Sequence, residues 1–242
     1  MKLSRLAANL YCWSTFILVT LAFGAFLPLL ALAQTLSPDK SPGRPLRFAI
    51  RRYGWILLRL LSPAVPISVE NRAGALPLPA IFVANHRSAL DPYLFGMLEV
   101  ENAFITGWPF NIPIYGRVMR AAGYIDARNG WPEVEAQGQH LIDEGCSLII
   151  WPEGHRSRDG KLGRFRQGAF KLAAATGRPL IPVAIIGAGE VLPPGKSLLT
   201  PGPIKLIILP PITLKKGDDG VIVPRLLAAE TRKAITKELA AW

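Results

Sequence analysis

From Leu10 to Ala33 the chain carries no charged residue. This stretch constrains the fold more than any other. As one helix it is about 36 Å long, against a bilayer hydrocarbon core of about 30 Å. It must therefore enter a membrane or be removed as a signal peptide. Met1-Lys2-Leu3-Ser4-Arg5 is a basic leader, and Ala31-Leu32-Ala33 has the small-x-small pattern of a cleavage site. The stretch is long for a signal, however, and the chain downstream of it does not look secreted. The only cysteines, Cys12 and Cys146, make no disulfide framework. A membrane helix is the preferred reading, with Gly24 and Pro28 placed to kink it.

Gln34 to Pro45 reads as a polar, proline-containing linker, and Leu46 to Leu61 as a second helix. Arg44, Arg47, Arg51, Arg52 and Arg59 fall within an arc of about 140° at helical spacing. Ile50, Tyr53, Ile56, Leu57, Leu60 and Leu61 fill the other side, and no acid occurs from Lys40 through Val69. A basic amphipathic helix beside an apolar segment suits an anionic lipid surface. Residues 1–62 thus read as a two-helix membrane-docking element and residues 63–242 as a separate globular domain. On that division residues 1–61 can be removed without unfolding the rest. The net charge of +11 also raises nucleic acid as a partner. The arginines cluster beside the membrane segment and no nucleic-acid motif occurs, so no nucleic acid is expected.

From Pro66 onward short apolar runs alternate with helical patterns. Residues 67–70, 80–84, 103–106, 124–126, 147–151, 180–186 and 204–209 read as strands. Residues 92–99, 112–122, 132–144, 168–176 and 221–241 read as helices. The alternation predicts an α/β fold, a layered and mostly buried β-sheet flanked by helices. In such folds the functional loops lie at the carboxyl ends of strands.

Two loops in that position hold reactive side chains. Asn85-His86-Arg87-Ser88-Ala89-Leu90-Asp91-Pro92 follows the run Ala80-Ile81-Phe82-Val83-Ala84. Asp91-Pro92 reads as an N-cap and the first helical residue. A carboxylate touching an imidazole fixes its tautomer and makes the ring a general base. Trp151-Pro152-Glu153-Gly154-His155-Arg156-Ser157 follows Ser147-Leu148-Ile149-Ile150. Other chemistries lack their residues. A serine hydrolase of the α/β type needs Gly-x-Ser-x-Gly, which is absent. Gly195-Lys196-Ser197 resembles the end of a phosphate loop, but Gly189 is misplaced and Pro193 and Pro194 remove backbone donors. The three histidines, His86, His140 and His155, show no metal-ligand spacing.

The Asn-His-x-x-x-x-Asp stretch, the Pro-Glu-Gly-His-Arg-Ser stretch, Phe165-Arg166-Gln167-Gly168-Ala169-Phe170 and the proline-flanked strand 179–185 occur in this order. Together they resemble the glycerolipid acyltransferases of the 1-acylglycerol-3-phosphate acyltransferase type, over roughly Ile67 to Leu214. The resemblance implies an O-acyltransferase that moves a fatty acyl group from acyl-CoA or acyl carrier protein to a lysolipid hydroxyl. Lysophosphatidic acid is the leading acceptor, with another lysolipid, transacylation between lipids, or a catalytically silent lipid-binding protein as alternatives. No cofactor is implied beyond the thioester co-substrate. His86 and Asp91 would be catalytic. Asn85, Arg128, Glu153, Gly154 and Arg156 would bind substrate, Glu153, Gly154 and Arg156 at the glycerol-phosphate end. The expected location is the inner membrane, with the catalytic domain on the cytoplasmic face. Three departures stand out. His155 replaces the usual threonine, the segment before Asp126-Ala127-Arg128 is one residue short, and Phe104-Ile105-Thr106-Gly107 lacks the frequent lysine.

Overall fold

The computed structural model describes residues 2–36, 41–213 and 222–241. Residues 37–40 of the expected linker, Leu214 and Val221 lie outside the described residues. Seven strands, β1 (Ile67–Asn71), β2 (Ile81–Ala84), β3 (Asn102–Thr106), β4 (Ile125–Asp126), β5 (Ser147–Ile150), β6 (Leu180–Ile186) and β7 (Ile204–Ile208), form one sheet. Their order is β1-β7-β6-β2-β5-β3-β4, and every neighbouring pair is parallel except β6–β7. Every residue of β2, β5 and β6 is buried. Strands covered on both faces read as continuous apolar runs, which is why these were plain in the sequence. Because β2, β5, β3 and β4 are adjacent and parallel, the loops that leave them open along one edge of the sheet.

Helices α5 (Trp131–Asp143), α6 (Gly168–Thr176) and α8 (Pro224–Ala240) pack over β5, β2 and β6. Residues 92–99 do not form the full helix expected. They give a short α3 (Asp91–Leu94) and a 3-10 turn (Phe95–Met97), because the chain must drop into β3 within a few residues. Helices α4 (Pro113–Ala121) and α7 (Ala188–Val191) complete the fold.

The N-terminal element departs from the sequence reading. Helix α1 spans Lys2–Leu36 and α2 spans Arg44–Leu61. Among the described residues only Ser4–Leu32 is long and apolar enough to cross a membrane. Helix α2 is not a detachable docking helix. Leu46, Leu57, Leu58 and Leu61 are buried in the common core. Gly54 and Gly96 bring α2 against the 3-10 turn, backbone on backbone. A Cβ on Gly96 would lie 2.7 Å from the Arg51 carbonyl oxygen. The arginine arc is also split. Arg47 is 2% exposed, 2.8 Å from Glu101 and 3.3 Å from Glu144. Arg44 also reaches Glu101, and Arg51 donates to the Leu98 carbonyl. Only Arg52 and Arg59 stay exposed, both over the Trp55 ring. A lone buried arginine costs more than one paired with carboxylates, so Glu101 and Glu144 decide which side of α2 faces inward. Removing residues 1–61 would therefore open the core, contrary to the expectation.

Helix α1 lies along α2. Phe23 packs on Tyr53, and Phe16 meets Tyr93 edge to face. Its first turns are tied to the loop after α7: Asn9 and the backbone of Leu199 exchange two hydrogen bonds, and Trp13 donates to the Ser197 carbonyl. The opposite side of α1 exposes Leu10, Leu18, Leu21, Phe26 and Leu29.

Candidate active site

An open cleft of about 1490 Å³ runs along the sheet edge where β2, β5, β3 and β4 end. His86 follows β2 and lines it. Its Nδ1 lies 2.7 Å from Asp91 Oδ2, and the same oxygen accepts the backbone N–H groups of Arg87 at 2.7 Å and Ser88 at 2.9 Å. Asp91 is fully buried. It is the first residue of α3, with Leu90 as N-cap. It therefore caps the amides of its own entry loop rather than those of the following helix, a correction to the N-cap reading. A carboxylate can only accept, so in the neutral ring the proton sits on His86 Nδ1 and the lone pair is on Nε2.

Trp151, at the end of β5, stacks on the His86 ring with centroids 4.8 Å apart, and on Phe104 of β3 at 5.3 Å. The indole covers one face of the imidazole, while Asp91 holds its edge at Nδ1. The sequence contained this tryptophan in a motif but gave no sign that its ring would meet His86.

Glu153 is buried, and both of its oxygens are occupied. Oε1 accepts the His86 N–H and Oε2 accepts the Gly163 N–H, each at 2.8 Å. A buried carboxylate so engaged offers a phosphate no donor. Glu153 lines the cleft, and its carboxylate is a clamp between the His86 loop and the loop after β5. The Ser157 N–H, donating to the His86 carbonyl at 2.8 Å, closes the same junction. Asn85 leaves the expected substrate set. It is fully buried, its Nδ2 donates to the Ile185 carbonyl at 2.8 Å and its Oδ1 accepts the Ile185 N–H at 2.7 Å. Its side-chain amide extends the β2–β6 ladder where β2 ends, so it does not reach the cleft.

The cations do reach the cleft. Arg156 is half-buried in its wall, and Arg158, Lys161 and Arg166 are exposed along it. Among the described residues none of these four is in an ion pair with an acid. Gly154 has φ of +75°, and a Cβ there would lie 2.8 Å from the Arg166 guanidinium carbon. Only glycine adopts this turn readily while letting Arg166 lie over it. Asp159 stays inside the loop: the Lys161 N–H and the Ser157 hydroxyl bind it and hold its carboxyl below the usual range. Arg128, after β4, also lines the cleft but is engaged. It grips Asp126 through Nε at 2.8 Å and a terminal nitrogen at 2.6 Å, and donates to Asn111 at 2.6 Å. This pairing lowers the Asp126 pKa. His155 lines the same wall, whereas His140 is exposed beside Glu144 and remote from the cleft. Thr106, Gly107 and Trp108, where the family often carries a lysine, form the facing rim. Ile105, Trp131, Val134, Ile150 and Leu172 make one part of the cleft apolar.

A carboxylate-held histidine at the carboxyl edge of a largely parallel sheet, beside arginines and a partly apolar cleft wall, defines the class: an α/β protein with a histidine–aspartate pair in an open cleft. The acyltransferase family model matches residues 67–186, which contain both loops, and the chain belongs to that family. Over 168 residues it is 35% identical to chloroplastic 1-acyl-sn-glycerol-3-phosphate acyltransferases of Brassica napus and of Arabidopsis thaliana. These alignments cover 66% of this chain and 46% and 45% of those proteins, so the chain spans about half their length. A 1-acyl-sn-glycerol-3-phosphate acyltransferase of Pseudomonas aeruginosa is 26% identical over 138 residues, 54% of this chain and 53% of that protein. The fold matches the crystal structure of the 1-acyl-sn-glycerophosphate acyltransferase PlsC from Thermotoga maritima with a TM-score of 0.76. That match covers 100% of this chain and 98% of the other at 21% identity.

Proposed function

We propose that this protein is a membrane-associated O-acyltransferase that acylates the free hydroxyl of a lysolipid, with 1-acylglycerol-3-phosphate as acceptor and phosphatidic acid as product. The observation that carries the reading is the His86–Asp91 pair opening onto a cleft with unpaired cations. In this mechanism His86 Nε2 takes the proton of the acceptor hydroxyl as its oxygen attacks the thioester carbonyl carbon. The carbon–oxygen bond forms, the carbon–sulfur bond breaks, and the thiolate leaves with the proton that the imidazolium returns. Asp91 stabilises the imidazolium in between. No acyl-enzyme is formed, in keeping with the lack of a marked nucleophilic serine.

Arg156 is the main phosphate ligand, with the Gly154 turn and Arg166 beside it. Arg128, already held by Asp126 and Asn111, contributes its remaining donors. Glu153 positions the His86 loop. The donor is acyl-CoA or acyl carrier protein, both of which bear phosphates suited to the outer cations Arg158 and Lys161. Helix α1 docks the protein on the membrane, at the cytoplasmic face where thioester donors are made. One observation favours a second acceptor. Gly107 and Trp108 on the facing rim bring no cation, which suits a lysolipid with a larger headgroup than a phosphomonoester.

The test is acyl transfer by the purified full chain to a panel of long-chain lysolipids, with both donors, read as thiol release and as product mass. His86→Ala should lower turnover by about 10²–10⁴-fold. Thiol release at a near-normal rate by a folded His86→Ala protein rules the mechanism out. Absence of release with every acceptor leaves a lipid-binding protein.

A further inference from the structure

Among the described residues, the large apolar side chains that remain exposed are concentrated on α1, α2 and one further segment; the exceptions are Val69, Leu78, Leu198 and Leu226. That segment is a 3-10 turn (Trp108–Asn111) running into α4. Its Ile114 is 72% exposed and Trp108 61%, with Ile112 and Tyr115 also exposed. The segment is too tight to fold these side chains inward. Gly116 packs so close to Phe110 that a Cβ would lie 2.3 Å from its carbonyl oxygen. In α4 only Gly116 and Met119 are buried.

Two positions make the segment more than a greasy spot. Tyr115 stands exposed one residue after Ile114, so a tyrosine adjoins the apolar pair Ile112 and Ile114 on this surface. Trp108 belongs both to this exposed surface and to the wall of the cleft. Arg117 and Arg120 are exposed on the next turns of α4. Apolar side chains with tryptophan and tyrosine among them, followed by arginines and with no acid in the sequence from Trp108 to Arg120, match a bilayer surface with anionic headgroups.

We infer that Trp108–Tyr115 is a membrane contact in addition to α1, a lip that inserts at the mouth of the cleft and admits lysolipid from the bilayer. The inference rests on the lipid acyltransferase reading given above. Trp108 is the hinge between bilayer and site: one part of its ring meets lipid and another lines the path toward His86.

The experiment puts an environment-sensitive fluorophore on Ile114→Cys in the full chain, with unlabelled native protein as control, since Cys12 and Cys146 are both buried. On mixed phosphatidylglycerol–phosphatidylethanolamine vesicles the emission should shift to the blue and become protected from aqueous iodide. Ile114→Asp should weaken vesicle partitioning by about tenfold or more. It should lower turnover of a long-chain acceptor in parallel and leave turnover of a short-chain, water-soluble acceptor unchanged. A probe that stays open to iodide while the protein floats with vesicles overturns the inference. So does a blue shift that follows protein concentration rather than lipid, which would make the lip a self-association surface. If the lip inserts and no acceptor is acylated, the lip stands and the acyltransferase reading fails.

Discussion

Glu153→Gln separates a clamp from a substrate contact. In the native protein the two carboxylate oxygens each accept one backbone N–H, from His86 and from Gly163, both at 2.8 Å. Glutamine has one oxygen and one NH2 group, so in either orientation a donor faces a donor. The lost hydrogen bond to a charged acceptor costs about 1.5–3 kcal/mol, and the stranded buried N–H adds roughly 1 kcal/mol. A total near 3 kcal/mol corresponds to a Tm lower by about 6–12 °C for a domain of this size. The His86 loop loses its anchor as well, and a displacement of about 1 Å at a reacting group costs on the order of 10²-fold in rate. The loss should fall on kcat, with KM for the acceptor within about twofold of native, because the clamp acts on the base rather than on the ligand. Thermal unfolding and initial rates against acceptor concentration measure both. A variant with native Tm and a raised acceptor KM at native kcat would refute the clamp and restore Glu153 to the acceptor site.

Arg156→Ala should raise KM for a phosphate-bearing acceptor far more than for the thioester donor, by a factor equivalent to about 1.5–3 kcal/mol, and Arg156→Lys should restore only part of it; steady-state kinetics with each substrate varied in turn decide this. Arg47→Ala should destabilise the fold by about 3 kcal/mol, the lower end for breaking a buried ion pair because Glu101 keeps some contact with water; chemical denaturation measures the loss. Glu70 is bound by Arg72 and Lys205, which pull its carboxyl pKa from 4.5 down to about 2. A lowered folded pKa means that the pair stabilises the fold above pH 4.5 and loses that contribution as the pH falls toward 2. Glu70→Gln should therefore flatten the acid limb of the Tm–pH curve and leave its neutral part nearly parallel to native.

The sheet was legible because its central strands are buried on both faces and so write themselves as apolar runs. His86 and Asp91 were legible because a strand-to-helix loop brings residues five apart together. Asn85 was not, because nothing local distinguishes a side chain aimed at a ligand from one that pairs with Ile185, a hundred residues away. Arg47 misled for the same reason. Its helix has no acid nearby in sequence, and its partners Glu101 and Glu144 reach it only through the fold. Helical periodicity grouped the arginines on one arc but could not say which part of that arc faces inward. The lip at Trp108–Tyr115 was hidden because four apolar residues in a short helical stretch look like core until their exposure is known.

The close crossing at Gly54 and Gly96 sets where a modular exchange can be made in proteins of this architecture. A hybrid that takes its membrane anchor from a relative and joins it after Leu61 imports a foreign α2. That helix would need glycine at the crossing, an arginine facing Glu101 and Glu144, and a matching partner turn just downstream of the segment that carries Asp91. A junction ahead of Ser41 keeps α2 with the sheet it belongs to, and an incoming α1 must then supply the aromatic contacts to Tyr53 and Tyr93 and the polar ties to Ser197 and Leu199. The natural cassette boundary thus runs between the two N-terminal helices and not behind them.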